Sequence, residues 1–472
     1  MNCCKTFFIS FALVLVAATV ALAQQSIEEV HADALGRITE NSVEASISYL
    51  ASDELGGRGT GTNEYLIAAA YVASRFKNAG LEGGGPNGSF YHEKEILLAK
   101  TPVAGIEFAT ASGVPLAHLG MFGGVDTDLT QSGTIDRIDI ANVPEQLGAK
   151  IVAARFQSPT AQGRGRGGRN AIADSVAKLK AKGAEALILG VDANDPIVAV
   201  AAAQRETAGI VDPRTNLALP ILLVDEKLLD SLSEVKLTLP KRVETRYMAR
   251  NVVGLLKGTD PNLAPEAVLF SAHLDHLGRR EGQVDPIYNG ADDDASGVSA
   301  VLTLADAFGA AKARPARSVL FMTFWGEESG LLGSKDFADN PSWPLDKIVS
   351  NINIEMIGRP EAGASKKIWV TGWEKSDLGP IMNQSSQQIG ITIFEHPKYS
   401  AMLYRSSDNW SLAQKGVIAH SFSAGSLHGD YHQPGDEWQK LDIEHMTNVI
   451  RGLYIGSLPL TNGIEKPTAA NK

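Results

Sequence analysis

Short apolar runs punctuate the second half of the chain, each ending where polar and acidic residues begin. Residues 267–272, Ser318–Phe324, 351–354, Lys367–Val370 and 417–422 are runs of this kind. They are too short for helices and nearly all apolar, so they predict buried strands. After the first, Val298, Val301, Leu302, Ala305 and Phe308 recur at helical spacing and predict an amphipathic helix. Strands alternating with helices predict a largely parallel sheet covered on both faces. Residues 25–82 read as mostly helical: Leu66, Ala70, Ala73 and Phe76 share one face, with Asn63 to cap the start and Gly80 to end it. From about 100 to 247 the texture changes to short apolar runs and glycine. There, 150–154 and Ala186–Val191 read as strands flanking a helix over 170–182, and 220–224 adds a strand before a short helix. That pattern predicts a small α/β domain inserted between the leading helices and the main sheet.

Composition narrows the setting. The 472 residues are 44% hydrophobic and 21% charged, ordinary for a globular chain. A net charge of −11 argues against a nucleic-acid partner. Residues 1–23 carry Lys5 and then an apolar run from Phe7 to Ala23, ending in Ala21-Leu-Ala23. This is the form of a secretory signal cleaved before Gln24, and an uncleaved anchor helix is the alternative. No later run is long enough to span a bilayer. A secreted or periplasmic protein is therefore expected, with no stable membrane insertion after cleavage. Cys3 and Cys4, the only cysteines, both lie in the signal, so the mature chain is expected to be held by packing and metal. The one basic run, Gly163-Arg-Gly-Arg-Gly-Gly-Arg169, reads as a solvated loop or as a rim segment meeting the acidic end of a substrate.

The candidate chemistry sits at the ends of the predicted strands. His273 and Asp275 follow the first run, and Asp292, Asp293 and Asp294 stand at the mouth of the helix that follows. Three adjacent carboxylates repel one another. A helix N-terminus offsets only a few tenths to about 1 kcal/mol per charge, and a divalent cation offsets far more. Glu327 and Glu328 follow Ser318–Phe324, Glu355 ends the run at 351–354, and a late loop carries Tyr431 and His432. Two imidazoles and three carboxylates, one of them shared, would give each of two zinc ions three protein ligands and leave room for water. Asp275, two residues beyond His273 along an extended segment, can orient the imidazole through its other N–H. Of Glu327 and Glu328 only one can be a good ligand, which leaves the other to take a proton from water.

His273-x-Asp275, Gly290-Ala-Asp-Asp-Asp-Ala-Ser-Gly297, Glu327-Glu328-x-Gly330-Leu-x-Gly333-Ser334 and Tyr431-His432-x-Pro434 resemble the motifs of metallopeptidase family twenty-eight. This co-catalytic zinc exopeptidase family includes bacterial secreted leucine aminopeptidases and glutamate carboxypeptidase. The resemblance implies a three-layer α/β/α domain around a central, mostly parallel mixed sheet, with a small inserted α/β protease-associated domain. It divides the chain into a signal (1–23), an N-terminal helical part (24–99), the inserted domain (100–247), the catalytic domain (248–460) and a flexible tail (461–472). Residue by residue, it implies Asp293 as the bridge between two zinc ions. His273 and Glu355 complete one site, Glu328 and His432 the other. It makes Glu327 the general base, Asp275 the residue that orients His273, and Tyr431 a candidate to steady the oxyanion. His276, Asp292, Asp294 and His428 read as structural. It also implies a cis peptide at Asp293–Asp294. One departure is visible: many members have aspartate where Glu355 stands, which puts the geometry of the His273 site in question.

The implied activity is aminopeptidase hydrolysis of peptide substrates by a metal-activated water. The runner-up is a carboxypeptidase or dipeptidase acting on acidic peptides, which would need an arginine cluster near the metals. Glutaminyl cyclase, an acyl transferase on the same fold, and a catalytically dead receptor are the readings from other classes. The loops 374–377 and 399–408 are expected to shape the substrate pocket. The inserted domain is open to roles as lid, substrate funnel or homodimer contact.

Overall fold

The computed structural model describes residues 26–470, apart from 101, 103–104, 158–166, 196, 199–200, 202–208, 211–218 and 281–282. The proposed signal and the side chains of the basic run at 163–169 lie outside the described residues. The chain is α/β. Its main sheet runs in the order Thr392–Phe394, Lys367–Val370, Ala419–Ser423, Ile348–Ile354, Ala267–His273, Ser318–Phe324, Val243–Leu256, Tyr91–Lys100 and Gly209–Ile210, with Glu82–Gly83 alongside Val243–Leu256. The four central strands, from Ala419–Ser423 to Ser318–Phe324, are mutually parallel, and antiparallel strands flank them. This is the mixed, mostly parallel core that buried apolar runs require.

Alternation of side chains sends each central strand into two cores. Val268, Phe270, Ala272 and Phe321 join one, with Val72, Phe76, Phe308 and Leu453 from the helices Asn63–Asn78, Gly297–Ala310 and Ile443–Thr461. Leu269, Leu320, Met322 and Phe324 join the other, covered by Phe337 and Leu412. Helices therefore lie on both faces of the sheet. The helix at Asn63–Asn78 is capped by Thr62, whose side chain accepts from Tyr65 N, rather than by Asn63.

A second sheet of seven strands occupies the chain between Glu107 and Leu239 and has its own apolar clusters on either face. The chain leaves the main sheet along Tyr91–Lys100 and returns along Val243–Leu256. These two strands pair antiparallel from Val243 opposite Lys100 to Val252 opposite Tyr91. The tail expected to be flexible is instead tied down as far as Ala470. Lys466 pairs with Glu266 at 2.6 Å, Thr468 N donates to Asp377 Oδ1 at 2.6 Å, and Ala470 N donates to Lys375 O at 2.8 Å. Among the described residues no helix is long and apolar enough to cross a membrane.

Candidate metal centre

The C-terminal ends of the four parallel strands converge, the place where open α/β sheets carry their sites. His273 is the last residue of its strand. Glu327 and Glu328 begin three residues beyond Phe324, Glu355 follows Ile354 directly, and His432 arrives on the loop after Ser423. Asp293 lies in the irregular turn Ala291–Ser296 that feeds the helix Gly297–Ala310, and the Asp293–Asp294 peptide is cis, as the resemblance implies.

The Asp293 carboxylate is split between two imidazoles. Its Oδ1 lies 3.1 Å from His273 Nε2 and its Oδ2 lies 3.1 Å from His432 Nε2. Glu355 Oε2 stands 3.8 Å from His273 Nε2, and Glu328 Oε1 stands 3.2 Å from His432 Nε2. All five expected ligands are thus brought together, as two groups sharing Asp293. Asp293 Oδ2 and Glu328 Oε1 are buried, yet neither accepts an aligned hydrogen bond. Buried carboxylate oxygens without donors are costly. Nitrogen and oxygen ligands about 2.0–2.2 Å from a tetrahedral zinc lie roughly 3.3 Å from one another, so the observed spacings and donor types fit zinc.

Electrostatics point the same way. Burial pushes the Glu328 carboxyl up and Asp293 adds to this, but the imidazoles of His276 and His432 hold it at about 2. Burial would lower His432, and Asp293 and Glu328 raise it to about 10. Glu327 is lifted well above the ordinary carboxylate range, first by burial and then by the neighbouring charge of Glu328. The pair therefore divides into a carboxylate that stays ionised and one that holds a proton readily, the division expected of a ligand beside a base.

Glu355 does not present both oxygens. Its Oε1 accepts a short hydrogen bond from Ser407 Oγ and another at 3.3 Å from Asn353 Nδ2, leaving Oε2 toward His273. The extra methylene relative to aspartate is thus absorbed by a clamp that leaves one oxygen facing the site.

Asp275 corrects the sequence reading. His273 Nδ1 is 2.9 Å from the main-chain carbonyl of Asp275, while the Asp275 carboxylate is 4.0 Å away. That carboxylate accepts instead from Glu327 N at 3.1 Å and from Thr60 Oγ at 2.9 Å, and burial pushes it up to about 6. The side chain positions the Glu327 loop, and the backbone orients His273. Tyr431 lines the same pocket with its ring stacked on His432, centroids 3.9 Å apart. Asp294 accepts from the main-chain N–H groups of His273, Gly297 and Met356. Asp292 accepts from Gly358 N and lies 3.2 Å from His428 Nε2. Both tie loops together.

Sequence reasoning missed Arg58. It is fully buried and donates to the carbonyls of Leu274, Asn289 and Gly290 at 2.7–2.9 Å, joining the loop after His273 to the loop before Asp293. Beside the acidic centre lies a pocket of about 630 Å³, open mouth included, walled by Met356, Trp369, Tyr399, Leu403 and Leu427. The segment 399–408 contributes to it as expected. Loop 374–377 does not, and among the described residues no lysine or arginine lines it.

The sequence model of peptidase family M28 matches residues 251–454. Aminopeptidase YwaD of Bacillus subtilis is 26% identical over 247 residues, 49% of this chain and 49% of that protein. The vacuolar membrane protease of Saccharomyces cerevisiae is 27% identical over 230 residues, 47% of this chain and 22% of that protein. The chain thus spans about half or less of these relatives' lengths. In three dimensions, the aminopeptidase from Aneurinibacillus sp. strain AM-1 matches with a TM-score of 0.58 at 17% identity, covering 93% of this chain and 97% of that one. BSAP, a zinc aminopeptidase from Bacillus subtilis, gives 0.56 at 18%, covering 92% and 96%. These two likenesses establish the fold. Every expected ligand falls inside the matched stretch, and the chain carries a peptidase family M28 domain over residues 251–454.

Proposed function

We propose that this protein is an exported zinc aminopeptidase that removes the first residue of peptides with a free N-terminus. The observation that carries the reading is the Asp293 carboxylate split between His273 and His432, with Glu327 on the wall of the adjoining pocket. His273 and Glu355 would hold one zinc and Glu328 and His432 the other, with Asp293 shared. When bound, the two ions supply Lewis acidity toward a water and the scissile carbonyl. Glu327 takes the proton of the attacking water and returns it to the leaving amine. Asp275 fixes the Glu327 main chain for that transfer, and Tyr431 stands at the pocket to donate to the developing oxyanion. The apolar wall suits a large aliphatic or aromatic first residue. Among the described residues no lysine or arginine lines the pocket to pair with an acidic C-terminus, which favours this reading over a carboxypeptidase. Two complete ligand groups favour it over a one-zinc cyclase. Residues 1–23 serve as the export signal, and 100–247 form an inserted protease-associated domain.

The test is zinc content of the mature protein together with hydrolysis of leucyl, phenylalanyl and glutamyl peptides, free and N-acetylated. Two zinc ions per chain and cleavage confined to free N-termini with apolar first residues are expected. Cleavage of N-acetylated peptides at acidic C-termini, or one zinc with cyclisation of N-terminal glutamine, would overturn the reading.

A further inference from the structure

His276 sits in the metal centre without a role. It lies just past the strand that delivers His273, and its side chain is fully buried. Its Nδ1 is 2.9 Å from Glu328 Oε1 and 3.8 Å from Asp293 Oδ2. Those spacings match a hydrogen bond in length but not in alignment, since Nδ1, Glu328 Oε1 and Asp293 Oδ2 all lack an aligned partner. Three buried donor atoms that crowd together without pointing at one another are arranged as ligands around a common point. The backbone makes room for the ring: a Cβ on Gly290 would stand 2.4 Å from the His276 ring, so a residue other than glycine would expel it.

We infer that His276 is a further metal ligand, binding through Nδ1 at the site of Asp293 and Glu328. The inference rests on the zinc centre proposed above and adds a third imidazole to it. It also makes the two sites unequal. His432, on a loop, is about one-third exposed, whereas His276 is anchored at the sheet and inaccessible. The second ion thus gains a ligand from the rigid framework, and this is the site that should release zinc more slowly.

The experiment measures zinc affinity by chelator competition for wild type, His276→Ala and His276→Asn. The number of imidazoles around bound cobalt is counted by X-ray absorption, and thermal midpoints in excess chelator check folding. Asparagine can place an N–H where Nδ1 stands, so it can donate to Glu328 but binds zinc poorly. Both variants are expected to lose one zinc or bind it at least tenfold more weakly, with three imidazoles in wild type reduced to two. Unchanged affinity in His276→Ala, or full restoration by asparagine, would overturn the inference and leave His276 a hydrogen-bond donor. Wild-type protein that binds no zinc would overturn the zinc centre as well, which separates the two failures.

Discussion

Glu327 and Glu328 are neighbours in sequence with opposite electrostatics, because one faces two imidazoles and the other faces its neighbour's charge. Glu327→Ala is therefore expected to keep both zinc ions while kcat falls on the order of a thousandfold, the usual worth of a general base. Activity within tenfold of wild type at full zinc content would remove Glu327 from that role. Glu355 depends on its clamp. Ser407→Ala removes the shorter of the two hydrogen bonds on Oε1 and should weaken zinc at the His273 site by roughly 10–100-fold, as lost outer-shell partners do, while the other site is unaffected. An unchanged affinity at the His273 site would show that Ser407 holds nothing. Ligand types announce themselves in a sequence because few residues bind zinc and their motifs have fixed spacing. A serine or a lone arginine has no such signature, which is why Ser407 and Arg58 emerge only in three dimensions. Asn353 was readable in principle: it stands two residues before Glu355 in extended chain, so the two side chains point the same way.

At the scale of elements, runs buried on both faces were legible and half-exposed ones were not. Ser318–Phe324 and Lys367–Val370 fall where their apolar runs lie. The strand Val243–Leu256 begins well before the apolar run at 251–256, because its first six residues are exposed or partly so and show no continuous apolarity. The turn Ala291–Ser296 is irregular because three of its residues answer to the site rather than to helix geometry. Left-handed backbone also marks the ligand loops: Met356 has φ 46° and His432 φ 57°, a conformation that costs about 1–3 kcal/mol outside glycine and persists only where the surroundings enforce it. Behind the site, Phe270 stacks on Phe321 at 5.7 Å with Phe308 alongside, and it is wholly buried. Phe270→Ala should cost about 3–5 kcal/mol in denaturant unfolding, from lost transfer and the cavity together. A cost below about 1 kcal/mol would mean the helix Gly297–Ala310 collapses onto the sheet.

For the whole molecule, the concentration of buried acid makes stability, pH and metal one problem. Burial pushes Asp275 and Asp436 up to about 6 and Asp408 to about 7, from 3.8. A carboxyl with a raised folded pKa binds its proton more tightly in the fold, so its contribution is lost as pH climbs from the unfolded value to the folded one. His432, raised from 6.5 to about 10, contributes fully below 6.5 and loses that contribution by about 10. Glu328, held at about 2, contributes fully above its ordinary value of 4.5 and adds no slope beyond it. The metal-free protein should accordingly lose stability steadily between pH 5.5 and 8.5. Zinc acts in the opposite direction. Its ligands must be deprotonated, so its affinity rises with pH, and a ligand that binds only the folded state stabilises it in proportion to ln(1 + [L]/Kd). The difference in thermal midpoint between zinc-loaded and chelator-treated protein should therefore widen from pH 5.5 to 8.5. A difference that stays constant or narrows would mean that protons and zinc do not compete for these groups, and would place the ion elsewhere than between His273, Asp293, Glu328, Glu355 and His432.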